Sequence, residues 1–142
     1  MDNKTDDLNF KVSIEDGYCL FEFFNELSIE NILSSEAQVI NLMNAHKVDI
    51  LPFIADLSKI DDQEVKIEVR DFGKMISSRA LFERCSGVWI VGAKGYTKML
   101  TGLLNKTFLG NRLKLVDTVE EAKAAIKNTK QSKIPMLEQD VE

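Results

Sequence analysis

Few residues in this 142-residue chain have types and spacing suited to chemistry. Its single histidine is His46, and its two cysteines are Cys19 and Cys85. A Cys–His nucleophile would have to use His46 for either thiol, because no second imidazole exists to activate one. Cys19 falls in a strand-like stretch and Cys85 near the end of a helical one, so both read as buried structural cysteines. His46 falls in the last turn of an amphipathic stretch, where a cation suits the negative end of a helix. A zinc site needs several histidine or cysteine ligands at close spacing, and none can be assembled. The paired carboxylates Asp6-Asp7 and Asp61-Asp62 read as a solvated tail and a helix start rather than an acid–base pair. The chain therefore reads as a non-enzyme with no cofactor and no metal.

One segment has a geometry that invites a ligand. Gly92-Ala93-Lys94-Gly95-Tyr96-Thr97 joins an apolar run, Val88-Trp89-Ile90-Val91, to an amphipathic one. A strand followed by a helix turns free N–H groups and a positive dipole outward beyond the strand's C-terminal end, which can receive an anion. Lys94 would strengthen it, and open α/β sheets bind ligands at this edge. Gly92, Lys94, Gly95, Tyr96 and Thr97 are thus candidate anion-binding residues. The segment is not a Walker loop, which has four residues between its glycines and a lysine directly after the second. The same two glycines also serve a tight turn with no ligand, which is the favoured reading, with anion binding the alternative.

Charge is distributed unevenly. The formal net charge is −5, yet residues 1–64 hold 14 acids and 4 bases, whereas residues 65–133 hold 14 bases and 6 acids. Lys66, Arg70, Lys74, Lys94, Lys98, Lys106, Arg112 and Lys114 are spread through the basic half. A nucleic-acid surface would interleave such bases with exposed aromatics, but Tyr96 and Phe108 sit at helical core spacing. A solvated face, or attraction to an acidic protein or anionic headgroups, fits better. Asymmetry of this kind suits orienting a partner more than holding a substrate. The acidic N-terminus does not resemble a signal peptide, and no apolar run approaches the ~20 residues of a membrane span. A cytoplasmic protein with no integral membrane segment is expected.

The elements that must position these residues are legible from periodicity. Phe10, Val12 and Ile14 alternate with polar residues, Asp16-Gly17 offers a tight turn, and Tyr18 to Phe24 forms a second strand. Ser28 is an N-cap for a helix ending near His46, with Ile29, Ile32, Leu33, Ala37, Ile40 and Met43 as its apolar face. Ile50 to Ala55 reads as a strand covered on both faces, with Pro52 near its start. Asp61 and Glu64 have capping-box spacing and open a longer helix whose stripe is Val65, Val69, Phe72, Ile76 and Ala80. Lys66, Arg70 and Lys74 would stack on another side of it. Val88 to Val91 is a further buried strand. The next helix carries Tyr96, Met99, Leu100, Leu103, Leu104 and Phe108. Leu113, Leu115 and Val116 form an edge strand, and a Thr118–Glu121 capping box opens a last helix with Val119, Ala122, Ala125 and Ile126.

This order predicts an α/β fold: a single domain with a five-stranded mixed β-sheet, its first strand antiparallel and the rest largely parallel, and four main helices. Residues 1–9 read as a flexible acidic N-terminus, 10–127 as the domain and 128–142 as a flexible C-terminal tail. Crossovers of one hand would place the helices largely on one face, yet the central strands are apolar at nearly every position. The second face needs cover from a second copy in a homodimer, from Ile134-Pro135-Met136-Leu137, or from an apolar ligand. The homodimer is the preferred expectation.

Over residues 10–127 the chain resembles the SpoIIAA-like family, which groups with STAS domains and is compared with CRAL-TRIO lipid-binding domains. The resemblance rests on Asp16-Gly17-Tyr18, Ile54-Ala55-Asp56-Leu57-Ser58, Val88-Trp89-Ile90-Val91-Gly92 before Lys94, and Val116-Asp117 before Glu120-Glu121-Ala122. It implies a non-enzymatic, cytoplasmic protein-interaction or regulatory module. The alternative is a small-ligand binder, taking an anion at the Gly92-to-Thr97 turn or a lipid or other apolar ligand against the sheet. Family members that antagonise anti-sigma factors carry a phosphorylatable serine in an Asp-Ser-Ser/Thr-Gly turn. Here the helix start reads Asp61-Asp62-Gln63-Glu64, without hydroxyl or glycine, so that switch is not carried over. Ser58 is the remaining phosphoacceptor candidate. The aspartates could imitate a phosphorylated surface, although helix capping accounts for them.

Overall fold

The computed structural model describes residues 4–6, 9–109 and 112–140. Its backbone follows from two strand periodicities, one half-buried and one fully buried. Strand β1 (Lys4–Asp6) pairs antiparallel with β2 (Phe10–Glu15), which forms a hairpin with β3 (Tyr18–Phe23). Asp16 and Gly17 connect the hairpin, and only Gly17 takes the left-handed region, at φ 90°. A two-residue strand, β4 (Leu27–Ser28), leads into helix α1 (Ile29–Ala45). The Ser28 hydroxyl caps α1 by accepting from the Asn31 N–H at 3.1 Å, and His46 is its C-cap. Strand β5 (Leu51–Asp56) follows, with Pro52 at its second position.

The stretch after β5 departs from expectation. No single long helix forms over 61–84. The chain instead makes a 3₁₀ turn (Asp62–Glu64), strand β6 (Val65–Lys66), a second 3₁₀ turn (Val69–Asp71), helix α2 (Phe72–Ile76) and helix α3 (Arg79–Glu83). The Asp61–Glu64 capping box exists, with the Asp61 N–H donating to Glu64 at 2.8 Å, but it caps one turn only. A second box at Glu68 and Asp71 and a third cap at Ser78 each restart the helix. Between them Val65 and Ile67 are buried while Lys66 and Glu68 are exposed, a period of two. That period pairs β6 in parallel with β4. Lys66, Arg70 and Lys74 therefore do not stack on one helix.

Strand β7 (Cys85–Val91) lies parallel to β5, and helix α4 (Gly95–Leu104) continues into a π-helical turn (Asn105–Leu109). Strand β8 (Leu113–Val116) closes the sheet, and helix α5 (Val119–Asp140) follows. The capping box is present, with Glu121 N–H donating to Thr118 Oγ1 and Glu121 Oε1 accepting from Thr118 N–H, both at 3.1 Å. Helical backbone continues past Asn128, where the apolar spacing ends.

The main sheet runs β1-β2-β3-β5-β7-β8, with β3, β5, β7 and β8 mutually parallel. The five expected strands are adjacent in chain order, and β1 extends the antiparallel edge into the stretch 1–9 that read as flexible. Residues 1–3 and 7–8 of that stretch lie outside the described residues.

Alternation explains the surplus of apolar positions. Cys19, Phe21, Phe53, Ala55, Val88 and Ile90 face the main core, with Val39, Leu42 and Met43 of α1 and Leu100 and Leu104 of α4. The residues between them, Leu20, Ile54, Trp89 and Val91, face the other way and meet Ala122 and Ile126 of α5. The expected second-face cover is thus supplied by α5 through residues 119–126. The side chains of 134–137, the other covering segment considered, lie outside the described residues.

Ile126 is 6% exposed, whereas its neighbour Lys127 is an exposed residue. Ile126→Ala is expected to cost about 2–4 kcal/mol in urea unfolding, and Lys127→Ala less than about 0.5 kcal/mol. Equal, small effects would mean that α5 is not docked.

Candidate functional site

The C-terminal ends of β5 and β7 bring the sequence-derived candidates together. Gly92 sits at φ 71°, and a Cβ there would lie 2.8 Å from Ser58 Cα, so only glycine fits this turn. Leu57 N–H donates to Val91 O at 2.8 Å, tying the two strand ends. Lys94 Nζ donates to Ile60 O at 2.9 Å and Ser58 O at 3.2 Å, and stands 3.7 Å from Asp61 Oδ1. Ser58 is exposed, and its N–H donates to Asp56 Oδ1 at 3.0 Å.

The positive end of α4 already faces a carboxylate of the same chain. Tyr96 N–H donates to Asp62 Oδ1 at 3.2 Å, and Asp62 Oδ2 lies 3.4 Å from where a Gly95 Cβ would stand. Tyr96 turns its hydroxyl to Ile67 O at 2.8 Å, and Thr97 is buried. The turn therefore has the chemistry expected of an anion site, but its dipole and its lysine are engaged by Asp62, Asp61 and two carbonyls. An external anion there would have to displace Asp62.

His46 is exposed at the end of α1, whereas Cys19 and Cys85 are buried in strands. Burial pushes both thiols up to about 12, and each is a free, buried cysteine. Cys85 Sγ contacts Gly87 O at 3.1 Å. Among the described residues, no three His, Cys, Asp or Glu side chains could hold a metal ion, and no helix is long and apolar enough to cross a membrane.

A second feature is not legible residue by residue in the sequence. A cavity of about 110 Å³ lies between the main-core face of the sheet and the helices above it. Phe21, Phe53 and Ile90 form its floor, and Phe72, Leu81 and Leu100 contribute to its roof. An engineered apolar cavity of roughly 150 Å³ stays dry and takes up benzene, so this volume suits a small apolar group. Its walls are almost entirely apolar, with Ser35, Thr97, Thr101 and Glu36 as the polar exceptions. Ser35 Oγ donates to Ile32 O at 2.7 Å and Thr101 Oγ1 to Thr97 O at 2.8 Å, so both hydroxyls turn back on their own helices.

Glu36 is the carboxyl of this cavity. It is half-buried on α1 and accepts from the Ser78 hydroxyl, the N-cap of α3. Burial raises its pKa from 4.5 to about 7, with the Ser78 hydrogen bond opposing the rise. A signal for it existed in the sequence, since Glu36 lies four residues from both Ile32 and Ile40, inside the apolar stripe. The stripe actually buried is Ile29, Ser35, Val39, Leu42 and Met43, and Ala37, expected inside, is exposed.

No family model matches the chain, and no curated protein does. Solved structures do. An uncharacterised DUF3478-family protein from Shewanella loihica PV-4, described as having a SpoIIAA-like fold, superposes with a TM-score of 0.55. The two are 16% identical, and the match covers 86% of this chain and 98% of the other. This chain has a SpoIIAA-like fold. The phosphorylated form of the Bacillus cell fate determinant SpoIIAA gives a TM-score of 0.50 at 14% identity, covering 82% of this chain and 98% of that one.

Three outcomes test this geometry. Gly92→Ala is expected to destabilise by roughly 2–3 kcal/mol, because the left-handed backbone and the Ser58 approach both oppose a Cβ. Gly102→Ala, in open space on α4, is expected to stabilise by about 0.5–1 kcal/mol in the same unfolding assay. Glu36 binds its proton more tightly folded than unfolded, so stability falls as pH rises from about 4.5 to about 7. Relative to Glu36→Gln, the wild type is expected to lose on the order of 2 kcal/mol across that window in thermal unfolding.

Proposed function

We propose that this chain is a non-enzymatic module that receives a small apolar molecule between its sheet and its first-face helices. One observation carries the reading: a well-packed domain leaves few spaces larger than a water molecule beside its core, whereas this one holds a partly open cavity of about 110 Å³ lined by aromatic and aliphatic side chains. Cavities of this kind cost stability when empty, and an apolar occupant restores the lost contacts. The SpoIIAA-like fold supports a regulatory module, in which occupancy of the cavity would be the signal.

Docking to a protein partner, or to a second copy, is the other reading. It draws on the exposed apolar side chains Ile50, Val69, Phe82, Met99 and Leu115, which belong to five separate stretches of the chain. Helices of the same chain already lie on both faces of the sheet, so neither face needs a second copy as cover. The cavity therefore favours the ligand reading over the docking one. A cytoplasmic setting fits either.

Native mass spectrometry of freshly purified protein reads both at once. A retained apolar adduct on a monomer, or benzene binding detected by shifts of the Phe21 and Phe53 ring signals, is the expected result. Ala55→Leu, which adds three carbons into the cavity, is expected to weaken benzene binding at least about tenfold while the protein stays folded. A ligand-free dimer that ignores benzene would overturn the proposal in favour of docking.

A further inference from the structure

We infer that Glu36 sets the class of apolar molecule the cavity accepts: one carrying a hydrogen-bond donor, an alcohol or an amine, rather than one ending in a carboxylate. The inference rests on the cavity reading and adds a polarity to it.

The argument is a count of where the polar hydrogens go. Ser78 Oγ accepts from Leu81 N–H at 3.3 Å, so its one hydrogen is committed to Glu36 Oε1. Ser35 and Thr101 commit theirs to Ile32 O and Thr97 O. The Cys85 thiol on β7, whose charge Glu36 would disfavour, is held protonated by burial and lies against Gly87 O. The Ser35 and Thr101 hydroxyls on the cavity wall, and the Ser78 hydroxyl and Cys85 thiol near Glu36, thus aim their hydrogens at protein acceptors. Above about pH 7, where Glu36 is ionised, what remains for a ligand there is acceptor capacity, since a carboxylate offers about four lone-pair sites and the Ser78 hydroxyl uses one.

A ligand hydroxyl or ammonium can fill that capacity with a charge-assisted hydrogen bond. A ligand carboxylate would bring a like charge into an apolar space beside Glu36 and find no hydrogen at these groups to bind. Glu36 is bracketed by Ile32 and Ile40, both packed against the core, which keeps its backbone fixed on the cavity wall. The head group of a bound molecule is therefore placed beside α1 and the cap of α3, with its apolar body toward Phe21 and Phe53.

The test uses the full chain at pH 8 and four probes of one shape: toluene, benzyl alcohol, benzylamine and benzoate, with binding read by ligand-observed NMR or calorimetry. Benzyl alcohol and benzylamine are expected to bind at least about tenfold more tightly than benzoate. Glu36→Gln, whose amide supplies a donor, is expected to bring benzoate within a few-fold of benzyl alcohol and to weaken benzylamine about tenfold, with toluene unchanged. The wild-type order alone decides the matter if the variant fails to fold. Toluene binding with a flat order of head groups would overturn the role of Glu36 and leave the cavity reading intact. Failure of toluene and every other probe to bind would overturn both.

Discussion

The strands β5 and β7 have no solvent side, and the rest of the fold answers that constraint. From Phe53 to Ala55 and from Val88 to Val91 each residue is apolar, because one faces the main core and the next faces α5. Parallel neighbours also require crossovers, and the three here, α1, the 61–84 segment and α4, all pack on the main-core face. The roof over that face is therefore assembled from three separate connections rather than one sheet-wide layer. The cavity opens where they meet, lined by residues from each. A void at the junction of several short elements is easier to leave than one beneath a continuous helix pair, since no single ridge spans it.

The same arrangement shifts attention away from the edge of the sheet. Strand C-terminal ends in open α/β folds commonly offer free N–H groups, but here the chain has closed its own: Asp62 meets α4, and Lys94 ties the carbonyls of Ser58 and Ile60. Those bonds hold the start of the 61–84 segment against β7 and α4. A cluster that reads as a binding site thus acts as a clasp for the roof, and the polar group left for recognition is inside, on α1.

How much of this was legible in the sequence depended on whether a residue's partner was near in the chain. The hairpin, the Ser28 and Thr118 caps and the two buried strands follow from spacings within a few residues, and they stand where expected. The 61–84 stretch misled because Val65, Val69 and Phe72 fit a helical stripe, whereas the burial that forms alternates over Val65 and Ile67 and leaves Val69 exposed. The pairing that decides it, Leu27 with Val65, spans 38 positions. Glu36 was visible as an acid within an apolar stripe, but its partner Ser78 lies on a different helix. The role of Asp62 was hidden for the same reason: a helix-start acid and a cap for a second helix look identical until the chain folds back. Cover for the second face was expected from outside the domain because crossovers of one hand place the connecting helices largely on one face, whereas α5 follows the last strand and is not a crossover. Small residues suffice there, since Ala122 lets α5 approach closely enough to seat Trp89.

The position of α5 after every strand also has a consequence for biogenesis. Strand order in the sheet equals chain order, so during synthesis each new strand finds its neighbour already made, and the main-core face gains its roof crossover by crossover. The opposite face has no such schedule. Ile54, Trp89 and Val91 are exported from the ribosome well before residues 119–126 and remain an open apolar stripe until that helix docks. A nascent chain stalled between β8 and α5 would hold a nearly complete sheet with one sticky side. Translation speed over that interval, rather than the stability of the finished fold, governs how long the hazard lasts.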